Sequence, residues 1–62
     1  MRASFERTRQ RTAKRMREMA AELMQLADKV ELDPEYEENA ADMRKIAAFL
    51  DQDADDIETE VG

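Results

Sequence analysis

The sequence predicts an all-α fold: a two-helix antiparallel hairpin with coiled-coil-like heptads, which we expect to dimerise into a four-helix bundle. Two observations lead to this prediction. The chain of 62 residues has one proline, at position 34, and one glycine, at its last position, so it is interrupted at a single place. On both sides of that place, apolar residues recur at alternating steps of four and three, which is typical of packed helices.

The first helix is predicted over residues 4–30 and begins at Ser4, whose hydroxyl can cap the free amides of the first turn. A turn over residues 31–34 follows. Asp33 fits the N-cap of the second helix, and Pro34 fits its first position, where the missing N–H costs nothing. The second helix is predicted to run to about residue 60. At this length there is room for one domain, 1–62.

Each predicted helix carries an apolar stripe of period 3.5. In the first helix the stripe consists of Phe5, Arg9, Thr12, Met16, Met19, Leu23, Leu26 and Val30. In the second it consists of Tyr36, Ala40, Met43, Ala47, Leu50, Ala54, Ile57 and Val61. Folding the chain back at Asp33 pairs the stripes in order and sets large residues against small ones, such as Leu26 against Ala40. The predicted core is Met16, Met19, Leu23, Leu26, Met43 and Leu50.

A second stripe runs beside the first, and a lone hairpin would leave it in contact with water. Two hairpins packed together would cover both stripes. We therefore expect a homodimer, and folding against a different protein is the alternative. The residues predicted to line this second interface, with Phe49 as the anchor, are Ala13, Ala20, Met24, Ala27, Ile46 and Phe49.

Charge is divided unevenly along a chain whose net charge is -6. Six of the eleven residues 7–17 are basic, and six of the ten residues 51–60 are acidic. An antiparallel hairpin brings the two blocks together, with Arg15 near Asp53 and Arg11 near Asp55 or Asp56. In this interpretation the blocks fix the register and orientation of the helices.

A second interpretation of the basic block is a phosphate-binding face. The architecture then resembles that of the Rop-type plasmid regulators, small dimeric helical hairpins that bind RNA loop pairs. The resemblance is one of length and topology, and it implies RNA binding through the start of the first helix. The candidate nucleic-acid-binding residues are Arg2, Arg7, Arg11, Lys14, Arg15 and Arg17.

A third interpretation starts from the acidic residues. Small acidic helical proteins, among them phage-encoded inhibitors of host defence, can occupy the basic groove of a nucleic-acid-binding protein by presenting carboxylates in place of phosphates. The acidic stretch also places Asp51, Asp53 and Asp55 at the spacing of the first EF-hand ligands. Asp56 stands where that loop needs glycine, and Gly62 where it needs glutamate, so no metal site is predicted.

Other chemistry has little support in the composition. There is no His and no Cys, so neither a catalytic dyad nor a cofactor or metal site is predicted, and we do not expect an enzyme. No apolar run has the length of a membrane span and no signal peptide is recognisable, so a cytoplasmic location is expected. The sequence therefore predicts a small interaction, assembly or regulatory module.

Overall fold

The computed structural model describes the backbone of residues 2–59 and the side chains of residues 5–59. Its elements are the helix α1, Arg2–Val30, a short 3-10 helix, Pro34–Tyr36, and the helix α2, Glu37–Thr59. The two long helices pack against each other as an antiparallel hairpin, and residues 2–59 contain no strand. The predicted all-α helical hairpin is thereby confirmed.

The turn between the helices is built from local hydrogen bonds. At the end of α1, the amides of Leu32 and Asp33 bond back three residues, to Lys29 at 3.3 Å and Val30 at 3.1 Å, which tightens the last turn. Asp33 then caps the next element, because its Oδ1 accepts a hydrogen bond of 3.0 Å from the amide of Glu35. The predicted N-cap is confirmed. The chain first makes the 3-10 helix, and the α-helical geometry begins at Glu37.

Alanine forms the centre of the hairpin. The described side chains classed as buried all belong to alanines, each with at most 1% of its surface exposed. They recur every seven residues on each helix and form what we call the alanine seam, which consists of Ala13, Ala20, Ala27, Ala40, Ala47 and Ala54. Small side chains at heptad spacing allow two helix backbones to approach closely, so the seam fixes where the helices touch.

The predicted core is right for α2 and partly wrong for α1. Met16, Leu23, Met43 and Leu50 flank the seam and are half-buried. The predicted core residues Met19 and Leu26 are instead 44% and 47% exposed. In the structure, the residues that directly follow them, Ala20 and Ala27 of the alanine seam, lie in the contact between the helices. A close helix approach has room for a methyl group there and not for a long side chain.

The hairpin is elongated and one helix thick. Its Cα atoms extend over 50 × 14 × 9 Å, and their radius of gyration is 14.6 Å. A compact domain of this length would have a radius of about 10.6 Å. Over the residues described, neither helix combines the length and the apolar content that a membrane span requires. Each helix therefore has one side in the hairpin contact and the rest of its surface uncovered.

The alanine seam predicts a contrast between two neighbouring alanines. Ala20→Leu adds a large side chain to the seam and should lower the free energy of unfolding by about 1–3 kcal/mol. Ala21→Leu makes the same change at an exposed position and should alter it by less than about 0.5 kcal/mol. Urea denaturation followed by circular dichroism measures both. Equal stability of the two variants would place the helix contact elsewhere.

Candidate interaction faces

Arg17 links the two helices near the open end of the hairpin. Its Nη2 donates to Oδ1 of Asp55 at 2.6 Å, and its Nη1 pairs with the carboxylate of Glu58. The two acids lie one turn apart on α2, which suits the two-pronged guanidinium. A single side chain of α1 thus holds two successive turns of α2.

Arg44 makes the reciprocal contact near the connecting turn. Its Nη2 donates to Oδ1 of Asp28 at 2.9 Å, and its Nη1 pairs with Glu31 at 2.6 Å. The hydrogen bonds that Arg44 donates, first to Glu31 and then to Asp28, raise the pKa of Arg44 above its ordinary value. The hairpin has one two-acid clamp toward each end.

Both clamps lie on the same side of the hairpin. On each helix the arginine follows a half-buried methionine, Met16 or Met43, and helical periodicity places it beyond the alanine seam. The ion pairs then bridge the helices over the alanines. We call this side, which carries Arg17, Asp55 and Glu58 with their counterparts from the second clamp, the charged face.

The opposite side carries large apolar side chains. Ile46 and Phe49 on α2 are 51% and 62% exposed, and helical periodicity places the exposed Met19 and Leu26 of α1 on the same side of the hairpin. Helical periodicity places Phe5, also exposed, in line with Met19. We call this side, lined by Phe5, Met19, Leu26, Ile46 and Phe49, the apolar face.

A shallow groove runs along the middle of the apolar face. It has a volume of about 320 Å³ and is lined by Met19, Glu22, Leu23, Leu26 and Leu50. Four of the five lining side chains are apolar, and they come from both helices. The groove has the chemistry of a packing surface for another helix.

The structure divides the predicted second interface among three places. Ile46 and Phe49 lie on the apolar face, as an interface would require. Met24 lies seven residues after Arg17, which puts it on the charged face. The prediction for Ala13, Ala20 and Ala27 needs correction: they are buried inside the hairpin and have no surface left for a second copy. The physical reason is the shift of the α1 contact by one residue.

The basic block also has more than one environment. Arg7, Arg11, Lys14 and Arg15 are exposed on α1. Arg17, in contrast, is held by two carboxylates. The side chain of the sixth candidate, Arg2, lies outside the described residues.

The predicted ion pairs differ from those observed. Asp55 pairs with Arg17 and not with Arg11, and no ion pair joins Arg15 to Asp53 in the part of the chain that the structure describes. The basic and acidic blocks do meet, as the sequence predicts. The contact is made by the residue at the edge of the helix interface, since a side chain on the outer side of α1 points away from α2.

An internal repeat was the sequence signal for the two clamps, and the heptad analysis missed it. Residues 13–31, AKRMREMAAELMQLADKVE, and residues 40–58, AADMRKIAAFLDQDADDIE, are identical at ten of nineteen positions. The displacement of 27 residues relates Arg17 to Arg44, and it also relates the acids of one clamp to those of the other. In an antiparallel pair, equivalent residues of two similar helices occupy equivalent places, so the repeat predicts two matched clamps.

No protein-family model, curated protein or solved structure matches this chain. Within residues 5–59, no group of three or more acidic side chains is arranged to hold a metal ion. The functional argument therefore depends on the two faces of the hairpin.

The charged face predicts that one arginine matters more than its neighbour. Arg17→Glu places a third negative charge beside Asp55 and Glu58 and should lower the melting temperature, with the loss shrinking as salt is added. Arg11→Glu makes the same change of net charge on the outer side of α1 and should have a smaller effect. Thermal unfolding at low and high salt compares them. A larger loss in the Arg11 variant would contradict the assignment.

Proposed function

We propose that this chain is a non-enzymatic interaction and assembly module that acts as a homodimer, with the apolar face as its contact surface. Two hairpins packed through this face make a four-helix bundle with a two-layer core. The observation that carries the proposal is the row of large exposed apolar side chains on one side of a hairpin whose other side is covered by ion pairs.

The accessible surface supports a further layer of packing. The chain exposes 5291 Å². A compact monomer of 7.2 kDa would expose about 4,100 Å². The excess, about 1,200 Å² for one chain, is larger than the roughly 800 Å² that each partner buries in a standard-size interface. A second hairpin on the apolar face would remove surface of this order.

The side chains on the apolar face suit a permanent contact. Fully burying a large apolar side chain contributes about 1.5–3 kcal/mol, and several such residues lie along this face. Phe49 is the most exposed large apolar side chain of α2, and aromatic residues commonly anchor interfaces. The groove beside Leu23 and Leu50 offers the complementary depression.

The two other interpretations of charge gain less from the geometry. Phosphate binding would need the basic block free, but Arg17 is engaged by Asp55 and Glu58. The third interpretation, in which carboxylates mimic phosphates, is also weakened, because Arg17 partly neutralises the charges of Asp55 and Glu58. Pairing within the hairpin joins Arg17 of the basic block to two acids of the acidic block, whereas Arg7, Arg11, Lys14 and Arg15 stay exposed. The apolar face is therefore the feature on which we base the interaction module as the proposed function.

The proposal predicts that charge on the apolar face disrupts the dimer. Phe49→Glu should shift the molar mass, measured by light scattering on a size-exclusion column, from about 14 kDa, twice the 7.2 kDa chain, toward the monomer. The reason is that a carboxylate would lose its hydration in the interface.

Met24→Glu is the matched control, because Met24 is a large exposed apolar residue on the charged face. It should leave the mass at that of the dimer. A wild-type mass of 7.2 kDa would refute self-association, and a monomeric Met24 variant beside a dimeric Phe49 variant would assign the contact to the wrong face.

A further inference from the structure

The two helices of the hairpin carry opposite net charges. Residues 2–30 of α1 include eight basic and four acidic side chains, which gives a net charge of +4. Residues 37–59 of α2 include two basic and eight acidic side chains, which gives −6. A second copy that approaches the apolar face therefore meets one positive and one negative helix side by side.

The rims of the apolar face show the same division. Helical periodicity places Arg15 and Lys29, with Glu22 between them, along the outer edge of the face on α1. On α2 the corresponding edge carries Asp42 and Asp56, on either side of Phe49, and these rim residues are all exposed. One rim is mainly basic and the other is acidic.

Twofold symmetry allows two ways to stack the apolar faces of two hairpins. In the first, each helix lies on its own counterpart, α1 on α1 and α2 on α2, and the connecting turns are at opposite ends. In the second, α1 of each copy lies on α2 of its partner, and both turns are at the same end. Both arrangements cover the apolar faces, so hydrophobic burial alone does not choose between them.

Charge does choose. In the first arrangement the two α2 helices, at −6 each, lie in contact, and the acidic C-terminal half of one meets the acidic first turn of the other, at Glu37 and Glu38. In the second arrangement every helix has oppositely charged neighbours, since +4 lies against −6 twice. Neighbouring helix axes are about 8–10 Å apart, close to the Debye length at physiological salt, so these interactions are only partly screened.

We infer that the second copy docks with its α1 on α2 of the first, so that both connecting turns lie at one end of the bundle and the open ends of both hairpins lie at the other. This inference rests on the proposed homodimer and adds its orientation. The basic start of each α1 then lies between two acidic α2 ends, one from its own chain and one from its partner.

The distance between the two turns tests the orientation directly. The chain has no cysteine, so Glu35→Cys provides a single attachment point for a spin label on the exposed turn. Pulsed dipolar spectroscopy should give a separation of roughly 15–30 Å between labels, allowing for two helix layers and the label arms. A separation near the 50 Å length of the hairpin, in a sample whose mass is that of a dimer, would overturn the orientation and leave the proposed function standing. A monomeric mass would overturn both.

A pair of charge variants tests the cause. Arg15→Glu with Lys29→Glu makes both rims acidic and should raise the Kd of the dimer by about tenfold or more at low salt, with a smaller rise at high salt. Arg7→Glu with Lys14→Glu gives the same net charge at two exposed residues that lie one heptad apart, on the side of α1 away from the rim, and should change the Kd much less. Circular dichroism confirms that both variants fold. If both double variants raise the Kd equally, rim charge is not the cause of the orientation, whatever distance is measured between the labelled turns.

Discussion

The close contact between helices at the alanine seam is the constraint on which the rest of the hairpin depends. With a methyl group at every seventh residue on both helices, there is no space between the backbones for longer side chains. The large residues next to the seam, such as Leu23 and Leu50, are displaced toward one side, and the arginines on the other side are near enough to reach across. The close helix contact at the alanine seam therefore creates both the apolar face and the charged face.

Much of the fold follows from the sequence. One interruption at Pro34 and a heptad pattern on each side predict two helices and their turn, and the pattern on α2 gives its inner residues correctly. The pattern on α1 contains two stripes one residue apart, one with Met19 and Leu26 and the other with Ala20 and Ala27. Preference for large core residues selects the first stripe. In the structure the second stripe lies in the helix contact. Alanines on both helices let the backbones approach more closely than a pairing of large with small side chains would.

The candidate site was harder to predict for the same reason. Because the contact on α1 is shifted by one residue, the predicted second interface is divided. Its alanines Ala13, Ala20 and Ala27 are buried inside the hairpin, and Met24 lies on the charged face. Ile46 and Phe49 keep their exposed positions because the α2 pattern was correct. The clamps on Arg17 and Arg44 depend on the geometry across the helices, which a helix-by-helix pattern does not contain. The internal repeat does contain it, since it compares the two helices with each other.

The repeat has a consequence for how the chain selects its own fold. The inner surfaces of α1 and α2 are nearly interchangeable, so the contacts that join the two helices of one chain would also join helices of different chains. What favours the intramolecular contact is the tether: a connection of a few residues between Val30 and Glu37 holds the helices at an effective concentration in the millimolar range. Lengthening or cutting that connection would remove this advantage. Partner choice would then depend on the opposite charges of the two helices.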